Sequence, residues 1–524
     1  MIEKNVTDFA IDLSLQHAIA HHHAGRLGEA ERLYRAILAA DPRHPDAHHN
    51  LGVVGLQAGR VEEALPHLQA AMELAPTVAQ YWSSHLDGLL MAGRPHVARL
   101  LPAWGRIAGL PEHAVNALEN RLAAAGVAAE CQAEDHCLLG RMFQERNRFD
   151  QARMAYQQAI RLRPDYADAL ANLGCLLMDM HRPQEAEAAL RAAASAAPGQ
   201  PEILWNLALL LLRQGRFVEG WPLYAYRHHP RNRFRSVVPP DLPFPCWQGE
   251  ELTGQSILVL TEQGLGDTLQ FCRYLPILKA MGAKAVQLVC APALAGLLRT
   301  LPGMEGPEEE AASGGAGGAH DFWTFLLDIP VRLGTTLSTI PAGLPYLATL
   351  PERDAVWRER LPSSGALRVG LTWKGNPEHW NDGNRSLPDL AALAPLWSVP
   401  GVVFIALQTG AGAGEAASPP AGQPLFDCGR WIGDCADTAS IVAQLDLVIC
   451  VDTAIAHLCG ALGKRCWVLL PCIGTDWRWL EERSDSPWYP GVLRLFRQLT
   501  PDDWSGVIRE TREALHGLAR QHRP

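Results

Sequence analysis

The stretch Val451-Asp452-Thr453-Ala454-Ile455-Ala456-His457-Leu458-Cys459-Gly460-Ala461-Leu462-Gly463 decides the fold of the C-terminal half of this chain. An apolar run over 445–450 precedes it and another over 465–470 follows it, each with the length of a buried parallel strand. The small residues between the runs predict one helix that ends at Gly463. The sequence therefore predicts a strand–helix–strand unit whose polar residues lie where the first strand meets the helix.

This junction has two interpretations. A helix N-terminus presents unpaired N–H groups and a positive dipole end, so it suits a phosphate. Asp452 could then hold a ribose or sugar hydroxyl, with His457 one turn further along. The other interpretation is that Asp452 or Thr453 only caps the helix and that His457 packs beneath it. The residues alone leave both interpretations open.

The composition is that of an ordinary globular protein, with 524 residues of which 48% are hydrophobic and 19% charged. A net charge of −10 argues against a general nucleic-acid or membrane-surface binder. We expect no membrane insertion, because the apolar runs are too short, and no signal peptide, because Glu3 and Asp8 interrupt the N-terminus. Twelve cysteines without a Cys-x-x-Cys pair favour buried thiols in the cytoplasm.

The first half of the chain repeats. Alanine recurs every 34 residues at one repeat position: Ala30, Ala64, Ala98 and, after a slip of about twenty residues, Ala152 and Ala186. Small residues let two helices cross closely, and prolines at the same spacing end the second helix. This spacing resembles the tetratricopeptide repeat, over roughly residues 10–228, as about six helical pairs that are degenerate near 100–135.

Such repeats form a concave groove that usually holds a peptide. Asparagine recurs at one repeat position, at Asn50, Asn172 and Asn206. A side-chain amide both donates and accepts, so a row of amides can bind extended backbone without regard to its sequence. The O-linked N-acetylglucosamine transferases carry asparagine at the same position, and this half resembles them in that respect. The sequence therefore predicts an acceptor-peptide groove.

Two observations limit the groove interpretation and a metal interpretation. Gln16, Ser84 and Leu138 replace asparagine in the other repeats, and the alternative is that the asparagines only bond neighbouring helices. His17 and His21 share a helix face, but no third ligand accompanies them, so we expect an exposed polar face and no metal site.

A proline- and arginine-rich linker is predicted over 229–250. After it, a strand over 256–260 leads through a glycine turn into an amphipathic helix that runs to Leu278, and a second strand follows over 286–290. The turn lacks the third glycine of the dinucleotide fingerprint. Asp267 with Gln270 fits a capping box, although an acid there could instead deprotonate an acceptor hydroxyl. Residues 303–319 are predicted to form a mobile surface loop.

A second α/β half begins with a strand over 368–373. The segment 374–386 that follows it is dense in hydrogen-bond donors and cations. Lys374, directly after the strand, is placed to meet a phosphate as a point charge, and Arg385 could do so with its planar fork. Further strands are predicted over 402–407, 445–450 and 467–470. The tryptophans and arginine of 475–480 could stack on a sugar or base, or could pack the two halves together.

Three motifs carry a resemblance. Gly-Leu-Gly-Asp at 264–267, Thr-Trp-Lys-Gly at 372–375 and Asp-Thr-Ala-Ile-Ala-His at 452–457 occur in the order found in heptosyltransferase-like glycosyltransferases of family 9, and the resemblance covers about residues 250–500. It implies two Rossmann-like domains of the GT-B type with the donor between them. It also implies an inverting, metal-independent reaction that needs no cofactor beyond a nucleotide-sugar co-substrate. With repeats in front, the chain is similar to bacterial flagellin glycosyltransferases that use nonulosonic-acid donors.

The resemblance also implies roles for individual residues. Asp267 would be the catalytic base, and Lys374 would neutralise the donor phosphate. The donor-binding residues would be Gly266, Lys374, Asn376, Arg385, Asp452, Thr453, Ala454 and His457. Ala454 departs from the glycine usual in heptosyltransferases and would crowd a phosphate. The first half is short, at about 100 residues, so the repeats would have to supply the acceptor surface, and both departures weaken a lipopolysaccharide-core substrate.

The predicted fold is an α-helical tetratricopeptide solenoid followed by an α/β GT-B pair of Rossmann-like domains. The predicted bounds are 1–228 for the solenoid, 229–250 for the linker, 251–362 for the N-terminal half, 363–500 for the nucleotide-sugar-binding half and 501–524 for a C-terminal helix. The predicted function is transfer of a sugar to protein Ser/Thr hydroxyls, with flagellin as a candidate acceptor recruited by the groove, in the cytoplasm and without nucleic acid. The alternatives are a repeat scaffold with an inactive transferase-like part and a transferase that acts on a lipid-linked or lipopolysaccharide glycan.

Overall fold

The computed structural model describes residues 2–128, 131–235, 237–303, 306–309, 319–363 and 365–522, with side chains from residue 10 onward. The chain divides into two compact units, residues 1–176 and 177–524. Most of the predicted surface loop over 303–319 lies outside the described residues, although Glu308 and Glu309 form a short strand.

The N-terminal part is helical throughout. Its helices are α1 (Ile2–His23), α2 (Leu27–Ala40), α3 (Pro45–Gln57), α4 (Val61–Leu74), α5 (Ala79–Met91), α6 (Pro95–Ala98), α7 (Leu101–Ala108), α8 (Glu112–Ala124), α9 (Ala133–Gln144), α10 (Phe149–Leu162), α11 (Ala167–Asp179), α12 (Pro183–Ala196), α13 (Pro201–Arg213) and α14 (Phe217–Tyr224). Packed neighbours include α1 with α2, α3 with α4, α9 with α10 and α13 with α14. The slip in the repeat is an extra pair, because α7 and α8 pack on each other between α6 and α9.

Small residues allow the predicted close crossings. A Cβ placed on Gly52 of α3 would lie 2.6 Å from Cγ of Leu68 on α4, and one placed on Gly140 of α9 would lie 2.3 Å from the Tyr156 ring on α10. Neither space admits a side chain, so glycine at this position fixes how closely the paired helices approach.

The first α/β half contains one parallel sheet. Its elements are β1 (Ser256–Leu260), α15 (Leu265–Phe271), α16 (Leu275–Ala280), β2 (Ala285–Cys290), α17 (Pro292–Leu298), β3 (Glu308–Glu309), β4 (Phe322–Phe325) and α18 (Ile329–Arg332). The strand order is β3-β2-β1-β4. The helix expected to run unbroken to Leu278 is instead α15 and α16, separated by the 3-10 turn Cys272–Tyr274.

The C-terminal end of the predicted linker packs against this sheet. The backbone N–H of Trp247 donates to the Trp323 carbonyl of β4 at 2.7 Å, and Trp323 donates to Pro245 at 3.0 Å. The Trp247 side chain is fully buried. Residues 245–247 therefore extend the sheet beyond β4, and the indole of Trp247 lies in the core.

The second α/β half contains a larger parallel sheet. Its elements are α19 (Pro351–Arg360), β5 (Leu367–Thr372), α20 (Asp382–Arg385), β6 (Val402–Ala406), α21 (Ala413–Ala417), β7 (Phe426–Asp427), α22 (Cys435–Ala443), β8 (Leu447–Val451), α23 (Ala454–Ala461), β9 (Cys466–Leu470), β10 (Leu493–Arg497) and α24 (Ser505–His522). The order is β10-β9-β8-β5-β6-β7.

Both sheets reverse their strand order at one point, between β1 and β4 in the first and between β5 and β8 in the second. Ligands of open α/β sheets bind at such switch points, outside the carboxyl ends of the strands. The turn after β1, the segment after β5 and the start of α23 after β8 all lie there. The predicted fold class, helical repeats followed by two parallel α/β sheets, is confirmed.

One hydrophobic core joins the last repeat helices to both sheets. Side chains of α13 and α14, including Leu212 and Trp221, pack with the first sheet and with one face of the second. The division at residue 177 therefore falls inside the repeats, whereas the predicted domain bounds stay a prediction. Within the described part of the chain, no helix combines the length and apolar character needed to cross a bilayer.

Candidate active site

Asp267 lies in the first turn of α15, after the turn that follows β1. Its Oδ2 accepts the backbone N–H of Gly264 at 2.9 Å, so Asp267 is the third helical residue and reaches back to the residue that precedes the helix. The predicted capping box had Asp267 before the helix, with Gln270 reaching back. That detail is wrong, because the helix begins at Leu265 and Gln270 is fully buried.

The other oxygen of Asp267 accepts a hydrogen bond from Arg478 of the second half. Arg478 lies in the 3-10 turn Trp477–Trp479, and its side chain is 4% exposed. Its Nη1 also donates to both oxygens of Asp476, at 2.9 and 2.8 Å. Arg478 is not among the predicted site residues, and the only sign of it in the sequence is its position between two tryptophans over 475–480.

The surroundings of Asp267 shift the pKa of its carboxyl in opposite directions. Burial is the largest influence and raises the pKa of the carboxyl above its ordinary value, while Arg478 lowers it. Asp476 and Glu262 add to the upward shift. Burial also acts on Glu262, but Arg227 and His228 outweigh it and lower the pKa of Glu262 to about 2. Asp267 thus combines a raised pKa with an ion pair, a state suited to taking up a proton.

The start of α23 has no side-chain cap. Thr453 precedes the helix with an extended backbone, its side chain makes no capping hydrogen bond, and its buried hydroxyl has no hydrogen-bond partner among the described residues. The capping interpretation of Thr453 is therefore wrong. Ala456 donates its N–H to the Thr453 carbonyl at 3.0 Å, but no side chain in the described part of the chain caps the start of α23, where the dipole of the helix favours an anion.

Asp452 and His457 lie on either side of this helix start, and the pKa of each is shifted from its ordinary value. Burial and the charge of Asp476 raise the pKa of Asp452 to about 7, against the smaller downward effects of Trp479, Arg385 and Arg478. Near neutral pH this carboxyl can donate a hydrogen bond to a hydroxyl oxygen when it is protonated, or accept one from a hydroxyl when it is ionised.

His457 is buried beneath the helix start, as the second interpretation expected. Its Nδ1 lies 3.0 Å from the Tyr489 hydroxyl, and its ring stacks on Trp479 with centroids 5.1 Å apart. Burial and then Arg478 lower the pKa of His457 to about 3, so its imidazole is neutral. Trp477 and Trp479 are 4% and 1% exposed, which favours the packing interpretation of these tryptophans over stacking on a ligand.

The segment after β5 is tied to the start of α23 through Arg385. Its Nη1 donates to the Asp452 carbonyl at 3.2 Å, its Nη2 to the Asn376 carbonyl at 3.4 Å, and its Nε to Asp382 at 3.1 Å. The Asn376 side chain accepts the backbone N–H of Glu378 at 3.1 Å and thus shapes a local turn. Arg385 therefore lies at the switch point between β5 and β8, where a phosphate would meet it.

Lys374 is oriented away from these partners. Its Nζ donates to the Pro388 carbonyl at 2.6 Å and lies 3.9 Å from Glu415. To contact a donor phosphate, the Lys374 side chain would have to leave Pro388. The structure therefore favours Arg385 over Lys374 as the cation next to the start of α23.

Gly266 marks where the two α/β halves meet, because α15 packs against α23. A Cβ on Gly266 would lie 2.9 Å from Cδ2 of His457 and 3.2 Å from Cα of Ala454. Only glycine permits this approach. The structure thereby brings Gly266, Ala454 and His457 together, with Asp267 next in the chain, although these segments lie far apart in the sequence.

The repeat asparagines are partly engaged within the solenoid. Asn172 donates to Sγ of Cys137 on a neighbouring helix at 3.5 Å, as the alternative interpretation expected. Oδ1 of the Asn50 side chain lies 3.3 Å from Nδ1 of His49. Asn206 is half-buried on α13. Their use by a peptide stays a prediction.

Comparisons with known proteins support the repeat assignment. A tetratricopeptide-repeat model matches residues 15–79 and 172–227, and a TPR-repeat model matches residues 140–180. The predicted repeats are thus confirmed, and the unmatched stretch between them includes the region predicted to be degenerate.

The chain is 31% identical over 396 residues to Protein FlbA of Caulobacter vibrioides, a match that covers 70% of this chain and 64% of FlbA. The chain therefore spans less than two thirds of that relative's length. Among solved structures, it is similar to a family 9 glycosyl transferase from Veillonella parvula, with a TM-score of 0.38 and 11% identity over 48% of this chain and 88% of the other. It is also similar to the E. coli ADP-heptose lps heptosyltransferase II, with a TM-score of 0.37 and 13% identity over 51% of this chain and 99% of the other.

Proposed function

We propose that this chain, which joins tetratricopeptide repeats to two parallel α/β sheets, is a glycosyltransferase that moves a sugar from a nucleotide-sugar to serine or threonine hydroxyls of a protein. The observation that carries the proposal is the contact of α15 with α23 at Gly266. It sets a partly buried carboxyl, Asp267, beside the uncapped start of a helix. A base and an anion site are the two parts that glycosyl transfer needs.

In the proposed reaction, the acceptor oxygen forms a bond to the anomeric carbon while the bond from that carbon to the phosphate oxygen breaks. The hydroxyl proton passes to the Asp267 carboxylate, and the phosphate leaves with the electron pair. A single displacement of this kind inverts the anomeric centre. The raised pKa of Asp267 makes the carboxyl a better proton acceptor than an exposed aspartate.

The departing phosphate would lie at the start of α23. This region contains the first N–H groups of α23, the Arg385 guanidinium and the Thr453 hydroxyl, which has no hydrogen-bond partner among the described residues. These donors can stabilise the negative charge on the leaving group without a metal ion. Asp452, with a pKa of about 7, would bond a sugar or ribose hydroxyl. The nucleotide-sugar is a co-substrate here and no further cofactor is proposed.

The acceptor would be a polypeptide held by the repeats, with Asn50, Asn172 and Asn206 as contacts to its backbone. Flagellin is the first acceptor to test, because the combination of repeats and transferase-like motifs resembles flagellin glycosyltransferases. We place the reaction in the cytoplasm, in keeping with twelve cysteines that are all free thiols. Nucleic acid is not a proposed partner.

The proposal is tested with the full chain. We expect it to release nucleotide from one member of a probe set comprising UDP-N-acetylglucosamine, ADP-glucose, GDP-mannose and CMP-N-acetylneuraminate. Intact-mass analysis of flagellin from cells with and without the gene should show one or more sugar masses lost without it. An unchanged flagellin mass would remove flagellin as the acceptor. No nucleotide binding by calorimetry would favour the alternative, a repeat scaffold with an inactive transferase-like part.

A further inference from the structure

Arg478 has an unusual place among the charged residues of this protein. Its guanidinium contacts two carboxyl groups that lie on different halves, Asp267 on α15 and Asp476 in its own turn. Cζ of the guanidinium lies over the rings of Phe271 and Trp477, at 5.2 and 4.7 Å from their centroids. A buried arginine needs such compensation, and the number of its contacts leaves it little freedom to reorient.

We propose that Arg478 is the positioning residue for the Asp267 carboxylate, holding the base from the opposite α/β half while the last repeat helix fixes the turn that carries it. This inference rests on the proposed function of Asp267. Oδ2 of Asp267 is held by the Gly264 N–H and Oδ1 by Arg478, so the plane of the carboxylate is fixed. Each oxygen retains a further lone pair, which can take the acceptor proton.

The turn that carries Arg478 is itself held rigidly. The Asp476 side chain accepts the Arg478 backbone N–H at 2.9 Å. Leu480, which ends the turn, has a positive φ of 54°, a conformation that a residue with a Cβ adopts only when its surroundings impose it. These two features favour the observed conformation of the turn, from which Arg478 reaches Asp267.

The last repeat helix packs against the same turn. Phe217, Trp221 and Tyr224 follow one face of α14 and pack edge-on against the Trp477 ring, with centroids 5.9, 5.5 and 6.0 Å apart. Trp477 immediately precedes Arg478. The last helix of the repeats thus supports the residue that holds the base, so it belongs to the catalytic part as much as to the solenoid.

The charges around Asp267 act on its pKa in opposite directions, so replacing them should shift its titration in opposite directions. Arg478 lowers the pKa of Asp267, whereas Asp476 and Glu262 raise it. His457, which faces Gly266 from α23, is neutral because its pKa is lowered to about 3. Replacing Arg478 should therefore move the titration of Asp267 to higher pH, and replacing Asp476 should move it to lower pH, although both changes weaken the same turn.

The experiment measures nucleotide release against pH for the full chain, using the probe nucleotide-sugar that the wild type turns over. For Arg478→Gln we expect kcat to fall about 10–10²-fold. The acid limb of its kcat–pH profile should move upward by about one pH unit or more, and the KM for the donor should stay unchanged. For Asp476→Asn we expect the acid limb to move downward. Arg483→Gln is the matched control, because Arg483 pairs with the exposed Asp485 and should shift neither limb.

A second measurement does not need turnover. The difference in melting temperature between a protein and its Asp267→Asn counterpart, followed against pH, reports the titration of Asp267 in the folded state. A raised pKa favours folding at low pH, and this contribution is lost as the pH rises through the folded value. With Arg478→Gln in both proteins, that loss should occur at higher pH.

The outcomes separate the inference from the proposed function. Limbs that stay in place, or that move in the same direction for Arg478→Gln and Asp476→Asn, would show that Arg478 only supports the fold, while transfer by the wild type would stand. If the wild type turns over none of the probes but the melting differences shift as expected, the hold of Arg478 on Asp267 stands and the proposed function fails.

Discussion

The starts of α15 and α23 have the same local architecture, but a side chain caps the first and not the second. Each follows a buried parallel strand at a switch point, each has an acidic residue nearby, and the two helices pack on each other. At α15 the acid satisfies the helix itself, since Asp267 accepts the Gly264 N–H. At α23 no side chain does so, and the Thr453 hydroxyl stays unpartnered among the described residues.

This difference separates the two chemical roles. A helix start that is already satisfied by its own carboxylate repels an anion, whereas an uncapped one attracts it. Under the proposed function, the first half would supply the carboxyl that accepts a proton, and the second half would supply the site for a negative leaving group.

The largest effect should follow from Asp267→Asn. Asparagine can still accept the Gly264 N–H, so the start of α15 should hold. It cannot accept a proton at neutral pH, so transfer should fall about 10²–10⁴-fold while nucleotide affinity changes little. Paired measurements of nucleotide release and of binding by calorimetry check this. Wild-type transfer by the variant would make Asp267 a helix cap only and erase the contrast between the two helix starts.

Arg385→Gln should weaken nucleotide binding, because a guanidinium is lost next to the start of α23. Charge-assisted hydrogen bonds contribute about 1.5–3 kcal/mol each, so we expect about a 10–100-fold rise in the Kd for the nucleotide product. Calorimetry with UDP, ADP, GDP and CMP gives the measurement. Lys374→Gln is the comparison, and a larger loss there would show that Lys374 leaves Pro388 to bind the phosphate.

Gly266→Ala should disturb the contact between the two helix starts. The added Cβ would meet the ring of His457 and the Ala454 backbone, so we expect a loss of about 1–3 kcal/mol in the free energy of unfolding. Gly264→Ala is the matched control, because its Cβ would approach only an oxygen of Asp267, at 3.4 Å. Denaturant unfolding compares the two variants. Equal stability of both would mean that α15 and α23 separate easily.

Asp452→Asn should have the smallest effect, a change in how stability depends on pH. Because burial raises the pKa of Asp452 to about 7, its carboxyl favours the folded state at low pH, and this contribution is lost as the pH rises through about 7. The variant should therefore gain melting temperature relative to the wild type between pH 5 and about 8.

Asp485→Asn provides the opposite control for that prediction. Arg483 lowers the pKa of Asp485. The difference in melting temperature between Asp485→Asn and the wild type should therefore stay constant over the same pH interval, and the stabilisation from Asp485 should be lost only in stronger acid. A flat difference for Asp452→Asn would mean that Asp452 is ionised throughout and bonds hydroxyls as an acceptor only.

Much of the architecture follows from local patterns. The 34-residue spacing of alanines and glycines requires paired helices, because only small residues fit where two helices cross. The apolar runs before and after 451–463 predict β8 and β9 since strands buried on both faces tolerate few polar residues. The short edge strands β3, β4, β7 and β10 were not predicted, because two to five residues at a sheet edge carry little periodic signal.

The sequence by itself determined the order of the parts, the turns that carry polar residues and the acid at position 267. Only the tertiary structure decided which of these residues meet. Arg478 reaches Asp267 across 211 positions of the chain, and Gly266 touches Ala454 only because two separate sheets present their switch points to each other. Local periodicity reports which face of an element is buried, but partners so distant depend on how whole layers pack.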